Sequence, residues 1–334
     1  MMPALATMET SMGAQRSLLM TIAVAGCGFL VATQVLAQSY PQRAIRIIID
    51  RPAGSTHDLL ARALSDKLSA SLKQTVIVEN RVGAGGNLAA EFVAHSTPDG
   101  STLLVALDTT LTVNPTLYKK LSFDPRTDLR PLSIMASTSN MLVVHPSLPV
   151  NSVAEFVAYA KANPVSYAHG GNGSPGHLTM ELFRMMAGFP ATPVPYRGNA
   201  QLAVDLAAGQ IKVGFVGTSG VIDHVRAGRL KGLAVSSAQR RSAAPDIPTI
   251  AEAGYDFHRE TYYVLLAPAA TPEPVTELIE REARSALQAP DVVNRFRPVN
   301  IDIVASSGTE AKARLEADTR LWAKVIEATG MRAD

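Results

Sequence analysis

Residues 45–87 read IRIIIDRPAGSTHDLLARALSDKLSASLKQTVIVENRVGAGGN, in the order strand, loop, helix, strand, loop, helix start. Ile45, Ile47, Ile48 and Ile49 make a nearly continuous apolar run, the pattern of a strand covered on both faces of a parallel sheet. Leu60, Leu64, Leu68 and Leu72 follow at four-residue intervals beside Leu59 and Ala63, the stripe of a helix packed on that sheet. Pro52 to Thr56 forms the loop between them, with Asp58 expected as the helix N-cap. Such a loop joins the carboxyl end of a strand to the positive end of a helix, where anions bind. A second loop, Asn80 to Asn87, follows at once. Its Gly83, Gly85 and Gly86 permit positive φ and close backbone approach, and Asn87 is placed to cap the next helix.

The same alternation continues outward. Strands are expected at 45–49, 75–78, 102–107, 141–145, 165–168, 192–196, 211–216, 230–235, 261–266 and 299–304. Helices are expected at 58–72, 87–95, 152–162, 177–187, 199–208, 219–227, 272–287 and 309–328. This spacing predicts an α/β chain of parallel sheets with helices on both faces. Ser152 with Glu155 reads as a capping box, and Pro272 suits a helix start.

Lys and Arg number 31 against 29 for Asp and Glu, and no basic cluster is interleaved with aromatics, so no nucleic-acid partner is expected. At the N-terminus, Arg16 precedes the apolar segment Leu18 to Ala32, followed by Thr33-Gln34-Val35-Leu36-Ala37. That is an export signal, with cleavage expected after Ala37 and a periplasmic mature chain. An uncleaved anchor and lipidation at Cys27 are the alternatives; the apolar run after Cys27 argues against the second. Cys27 is the only cysteine, so the mature chain is expected to hold no disulfide.

The order PxRxIRIII, PAGxxxDxxAR, LSxxLxQxVxVENRxGAGGN and PDGxTLL carries a resemblance, and so do Asn114-Pro115-Thr116-Leu117-Tyr118, Gly171 to Leu178, Pro195-Tyr196-Arg197-Gly198 and Pro248 to Tyr255. The chain resembles, from about Tyr40 to its C-terminus, the extracytoplasmic solute receptors of tripartite tricarboxylate transporters, the Bug-type receptors. The resemblance implies a two-lobed periplasmic-binding-protein fold of type 2, each lobe a mostly parallel sheet flanked by helices, with the ligand cleft between. It implies two crossings, near 108–140 and 255–266. Lobe one would comprise 38–135 plus 262–334, and lobe two 136–261. It also implies a small mono- or dicarboxylate ligand, a tripartite tricarboxylate-type permease as partner, no cofactor and no catalysis; the receptor is expected to be monomeric. An orphan receptor feeding a sensor system is the variant of this reading. Three departures stand out: Asp50-Arg51 where the family usually has Pro-Phe, Ser55 for the second glycine of PAGG, and Arg197 for the usual lysine.

Candidate ligand contacts follow from these loops. In the first, the backbone of Ala53, Gly54 and Ser55 and the forked cation of Arg51 suit a carboxylate. Asp58 is a cap or a contact, and His57 is expected to be solvated. In the second, Gly85 is a contact or a structural glycine, while Glu79, Asn80 and Arg81 brace the first. The third, Gly171-Asn172-Gly173-Ser174-Pro175-Gly176, formally matches G-x-G-x-x-G. The acidic residue that would confirm a dinucleotide site is missing, since Tyr196-Arg197 ends the next strand. For a smaller anion the amides of Gly173 and Ser174, the Ser174 hydroxyl and His177 at the helix start are the expected grip. Tyr196 and Arg197 join as rim, with Asp205 as an alternative scaffold partner for Arg197. An exported hydrolase using a cleft serine is the competing function. Against it, N-G-S-P-G around Ser174 is not the G-x-S-x-G elbow, and a metal pair at His177 and Glu181 lacks a third ligand; a local hydrogen bond between those two is expected.

Overall fold

The computed structural model describes residues 40–333; the expected export segment, with Cys27 and the cleavage point after Ala37, lies outside the described residues. The strands are β1 (Ile45–Ile49), β2 (Val76–Asn80), β3 (Thr102–Leu107), β4 (Leu129–Val144), β5 (Ser166–His169), β6 (Thr192–Pro195), β7 (Val213–Gly217), β8 (Lys231–Val235), β9 (Glu260–Pro268) and β10 (Asp302–Ile303). The helices are α1 (Thr56–Leu72), α2 (Asn87–Ala94), α3 (Asp108–Thr112), α4 (Asn114–Leu117), α5 (Val153–Ala162), α6 (Pro175–Ala187), α7 (Asn199–Ala207), α8 (Thr218–Arg226), α9 (Glu273–Leu287), α10 (Pro290–Phe296) and α11 (Gly308–Thr329).

All four isoleucines of β1 are fully buried, because the strand pairs in parallel with β2 on one side and β3 on the other. Ile48 packs with Leu104, Ala89, Ala90 and Val93, so α2 covers one face. Burying each isoleucine stabilises the fold by roughly 1.5–3 kcal/mol relative to leaving it in water. Beyond β3 the sheet becomes mixed: β9 runs antiparallel to β3, and β4 antiparallel to β9. The parallel pattern returns in the second half, where β7, β5 and β6 stand side by side. The result is an α/β architecture, one mixed sheet whose two halves share one strand.

That strand is β4. Its 16 residues pair with β9 as far as Ser139, then with β7 and β8 from Asn140 and Met141 onward. The sequence pattern located only its last quarter, within the expected 141–145, because Ser133, Ser137, Ser139 and Asn140 interrupt the apolar run. They are buried nonetheless, since each polar group finds a partner: Ser139 Oγ lies 3.0 Å from Thr218 Oγ1, and Asn140 Nδ2 donates to Thr179 Oγ1 at 3.1 Å. The expected strand at 299–304 shrinks to two residues, because Arg297 to Val299 form a 3-10 turn and Asn300 takes a left-handed φ of 62°. Helix α11 ties the halves together. Ala311 and Leu315 pack with Leu129 and Leu266, while Trp322, Val325 and Ile326 join the core around Phe183 and Phe215. Among the described residues no helix is long and apolar enough to cross a membrane.

Candidate functional site

The loop after β1 is held from within. Ser55, not Asp58, is the N-cap of α1: its backbone is extended and its Oγ accepts from the Asp58 amide at 3.4 Å. Asp58 instead lies buried as a brace, its carboxylate accepting from the Gly54 amide (3.0 Å), Arg62 Nε (2.9 Å) and Asn80 Nδ2 (3.4 Å). Arg62 foremost holds that carboxyl below its ordinary range. Asp58 is therefore a brace of this loop and not the helix cap that was expected. The Ser55 amide closes a turn onto Pro52 O, and Ala53 and Gly54 are exposed, with Gly54 at a φ of 79°. Thr56 and His57 supply the remaining first-turn amides of α1, which a helix leaves unpaired along its own axis.

Beneath this loop lies a group the expectations passed over. Asp50 is fully buried; its carboxylate sits 3.3 Å from Arg51 Nη1, 3.4 Å from Thr110 Oγ1 and 3.5 Å from His57 Nε2. Burial raises the Asp50 pKa, with Arg51 opposing. His57 is not solvated but buried, edge-on to the Tyr263 ring at 4.9 Å. Burial foremost, then Arg51, pushes its pKa down to about 3, so it is neutral at ordinary pH. Arg51 keeps its side chain partly open to solvent, while its carbonyl is pinned by Asn80 Nδ2 at 2.9 Å.

The second loop and the third are brought together by the segment after β3. A Cβ at Gly85 would fall 2.6 Å from the Tyr118 hydroxyl, and one at Gly86 would fall 2.6 Å from both Asp50 Oδ2 and Thr110 Oγ1. A Cβ at Gly173 would fall 2.4 Å from Leu117 Cδ2. Gly85 also accepts from Asn114 Nδ2 at 3.3 Å through its carbonyl. Asn87 does not cap; Gly86 holds the cap position, and Asn87 Oδ1 accepts from Asn114 Nδ2 at 2.6 Å. Glu79 forms a bidentate pair with Arg46, and Arg81 lies over the Phe92 ring, so both are scaffold.

In the third loop Ser174 caps α6, its Oγ accepting from the His177 amide at 3.4 Å. Both amides of the expected grip are engaged within the loop itself. The Gly173 amide donates to His177 Nδ1 (3.3 Å) and the Ser174 amide to Gly171 O (3.1 Å). Pro175 has no amide hydrogen; the Ser174 hydroxyl, which can donate while it accepts, is a donor this loop can offer. His177 is buried and stacks on His169 with centroids 3.8 Å apart. Burial, then His169, lowers its pKa to about 4, which keeps Nδ1 free to accept. The expected His177–Glu181 bond is absent; Glu181 instead accepts from the Tyr167 hydroxyl (2.6 Å) and from Arg184.

Tyr196 and Arg197 lie beside this loop, since the Tyr196 amide donates to His169 O and a Cβ at Gly171 would fall 3.7 Å from Tyr196 O. Arg197 is exposed, and Asp205 is not its partner: Asp205 bonds Gln201 Nε2 at 2.7 Å and the Tyr196 hydroxyl. The loops thus form two sets, one at α1 and α2 and one at α6 and α7, meeting across α3 and α4. Thr110, Asn114 and Tyr118 are the members that pattern reading missed; the Asn114-Pro115 helix start was their one sequence signal. A separate groove of about 580 Å³, lined by Leu111, Arg126, Arg130, Leu266, Lys312 and Arg320 among others, shares no residue with these loops.

Comparison with known proteins places this geometry. The family model described as "Tripartite tricarboxylate transporter family receptor" matches residues 60–331. Protein BugT of Bordetella pertussis is 33% identical over 315 residues, covering 93% of this chain and 95% of that protein. Among solved structures, an R. palustris protein with adipate is 31% identical at a TM-score of 0.76, covering 88% of this chain and 99% of that one. MatC of Rhodopseudomonas palustris, with bound malate, is 26% identical at 0.72, covering 86% and 100%. With that much of the chain matched, and with paired helix-start loops on the two halves of a sheet threaded by one strand, the protein belongs to the tripartite tricarboxylate transporter receptor family.

Proposed function

We propose that this protein is a periplasmic solute receptor that closes on a small mono- or dicarboxylate and presents it to a tripartite tricarboxylate-type permease. One observation carries the reading: two serine-capped helix starts, at Ser55 and Ser174, stand at strand ends in opposite halves of the sheet. Each end presents partial positive charge where a carboxylate is stabilised. Arg51 and Arg197 add one full cation on each side. The lobes in this reading are 38–135 plus 262–334 and 136–261, and the crossing strands are β4 and β9. Closure is favoured only by contacts the ligand makes better in the closed form, so a molecule with two polar ends suits it best. The two structural relatives named with adipate and malate support that ligand class.

The hydrolase alternative finds no support in the Ser174–His177 geometry. The hydroxyl accepts from the His177 amide while the ring Nδ1 faces the Gly173 amide, so the nucleophile–base bond is not made. A thermal-shift panel of mono- and dicarboxylates, sugars and amines tests the receptor reading. At a hundredfold excess over Kd a true ligand stabilises by about 2.7 kcal/mol. Stabilisation by sugars or amines alone would sink it.

A further inference from the structure

We infer that Asp50 is an internal counter-ion for Arg51 in the empty receptor, and that an incoming carboxylate takes over the guanidinium while Asp50 takes up one proton from solvent. This rests on the carboxylate-receptor reading and adds a regulation to the same site. Three observations carry it. Asp50 is 0% exposed, and its Oδ1 has no hydrogen-bond partner. Its contacts to Arg51, Thr110 and His57 are all long, at 3.3–3.5 Å. Arg51, the one cation among them, has a backbone fixed by Asn80 and a side chain still 30% exposed, so it can turn without the loop moving once Nη1 releases the Asp50 carbonyl, to which it donates at 3.2 Å.

A fully enclosed carboxylate with one oxygen unpartnered, even with the Thr110 hydroxyl and the amides of Asp50 and Leu107 beside it, stays charged in the interior only while a cation compensates it; otherwise it neutralises by binding a proton. The other groups facing it do not substitute for Arg51. His57, from α1, is neutral, and its Nε2 also lacks a partner. Thr110, from α3, brings only a hydroxyl, and Gly86, from the second loop, brings no side chain. Tyr263, from β9, packs on His57, with its phenol pushed up to about 12 by burial, and Asp108 beyond it is raised to about 8 by its own burial, so neither supplies a cation. The charge balance closes. Before binding, Asp50 is anionic beside the Arg51 cation; afterwards Asp50 is a neutral acid and Arg51 pairs with the ligand anion. No cofactor or second reactant is needed.

The test is titration calorimetry of the mature chain against a panel of two- to six-carbon mono- and dicarboxylates, malate and adipate included. It is run from pH 5.5 to 8.5 in paired buffers of different ionisation enthalpy. Wild type is expected to take up close to one proton per ligand at the alkaline end, with affinity falling up to tenfold per pH unit. Asp50→Asn should abolish the uptake, flatten the pH dependence and bind more tightly than wild type at pH 8.5. Arg51→Gln should bind more weakly at every pH. Should Asp50→Asn fail to fold, the buffer pair on wild type still decides, together with an infrared carboxylic-acid band that grows on ligand addition. Binding without proton uptake overturns the coupling and leaves the receptor reading standing. Uptake that survives Asp50→Asn assigns the proton to another group, such as His57 or His177, and overturns it equally. No binding by any acid overturns the receptor reading and the coupling with it.

Discussion

On the proposed reading Ser174 has two tasks, and glycine and alanine separate them. Its Oγ accepts the His177 amide to cap α6, and its hydroxyl hydrogen is available to a ligand oxygen. At an N-cap, serine to alanine costs about 0.5–2 kcal/mol, whereas serine to glycine costs only a few tenths. The Ser174 backbone, φ −63° and ψ 154°, is open to both replacements. Ser174→Gly should therefore melt close to wild type, and Ser174→Ala lower, by roughly 2–4 °C per kcal/mol at this size class. Both lose the hydroxyl. A hydrogen bond to a charged group contributes about 1.5–3 kcal/mol, so both should bind their carboxylate roughly 10- to 150-fold more weakly. Apo melting curves beside calorimetric titration read the two effects separately. Wild-type affinity in a Ser174→Gly protein that melts normally would refute a ligand contact by this hydroxyl. The cap would then be its whole role.

Gly176→Ala should be disruptive, because its Cβ would lie 2.0 Å from Phe215 O, a backbone atom that cannot step aside. Overpacking of this kind costs about 1–3 kcal/mol, and an unchanged melting point would show that α6 sits less tightly on β7 than described. Stability should decline on both sides of an intermediate pH. His57 (about 3) and His177 (about 4) resist protonation when folded, so the unfolded chain binds more protons below about 6.5 and stability drops as pH falls toward 4. Asp108, raised to about 8 chiefly by burial, holds a proton that the unfolded chain releases near 3.9, so its contribution is lost as pH rises from about 4 to 8. Urea midpoints across pH should show both limbs; His57→Gln should flatten the acid one and Asp108→Asn the alkaline one, and an unaltered profile in both would contradict the assignment. N-terminal sequencing of periplasmic protein should begin at Gln38, and an intact Met1 or a modified Cys27 would exclude that processing.

What could be read beforehand was whatever an apolar period or a glycine signals. The isoleucines of β1, the leucines of α1 and the glycines of three loops located the scaffold and the loops of the candidate site. The interior of the site was opaque for a physical reason. Asp50, His57 and His169 look like surface residues in sequence, and only the fold shows them enclosed. The first three-quarters of β4 were hidden likewise, since a strand buried through paired hydroxyls carries no hydrophobic period. Cap assignment erred by three residues at α1 because Ser55 and Asp58 are both good caps, and only the extended backbone of Ser55 decides between them. The amides of Gly173 and Ser174 were expected to meet a ligand; that His177 and Gly171 already engage them depends on a loop conformation that spacing does not encode.

The shared strand imposes a constraint on length rather than on residue type. Met141 and Val143 of β4 face one core, with Leu202, Leu206 and Val221, whereas Leu142 and Val144 face the other, with Phe156 and Phe215. A single residue inserted upstream of Asn140 would exchange those two sets, since side chains alternate along a strand. The bulges between Pro131 and Ser133 and between Ile134 and Ala136 already set that phase. Conservative swaps along β4 are thus far safer than any indel. A fluorescent domain spliced in to report closure belongs instead in an exposed turn such as Ala227 to Arg229, where no alternation has to be kept.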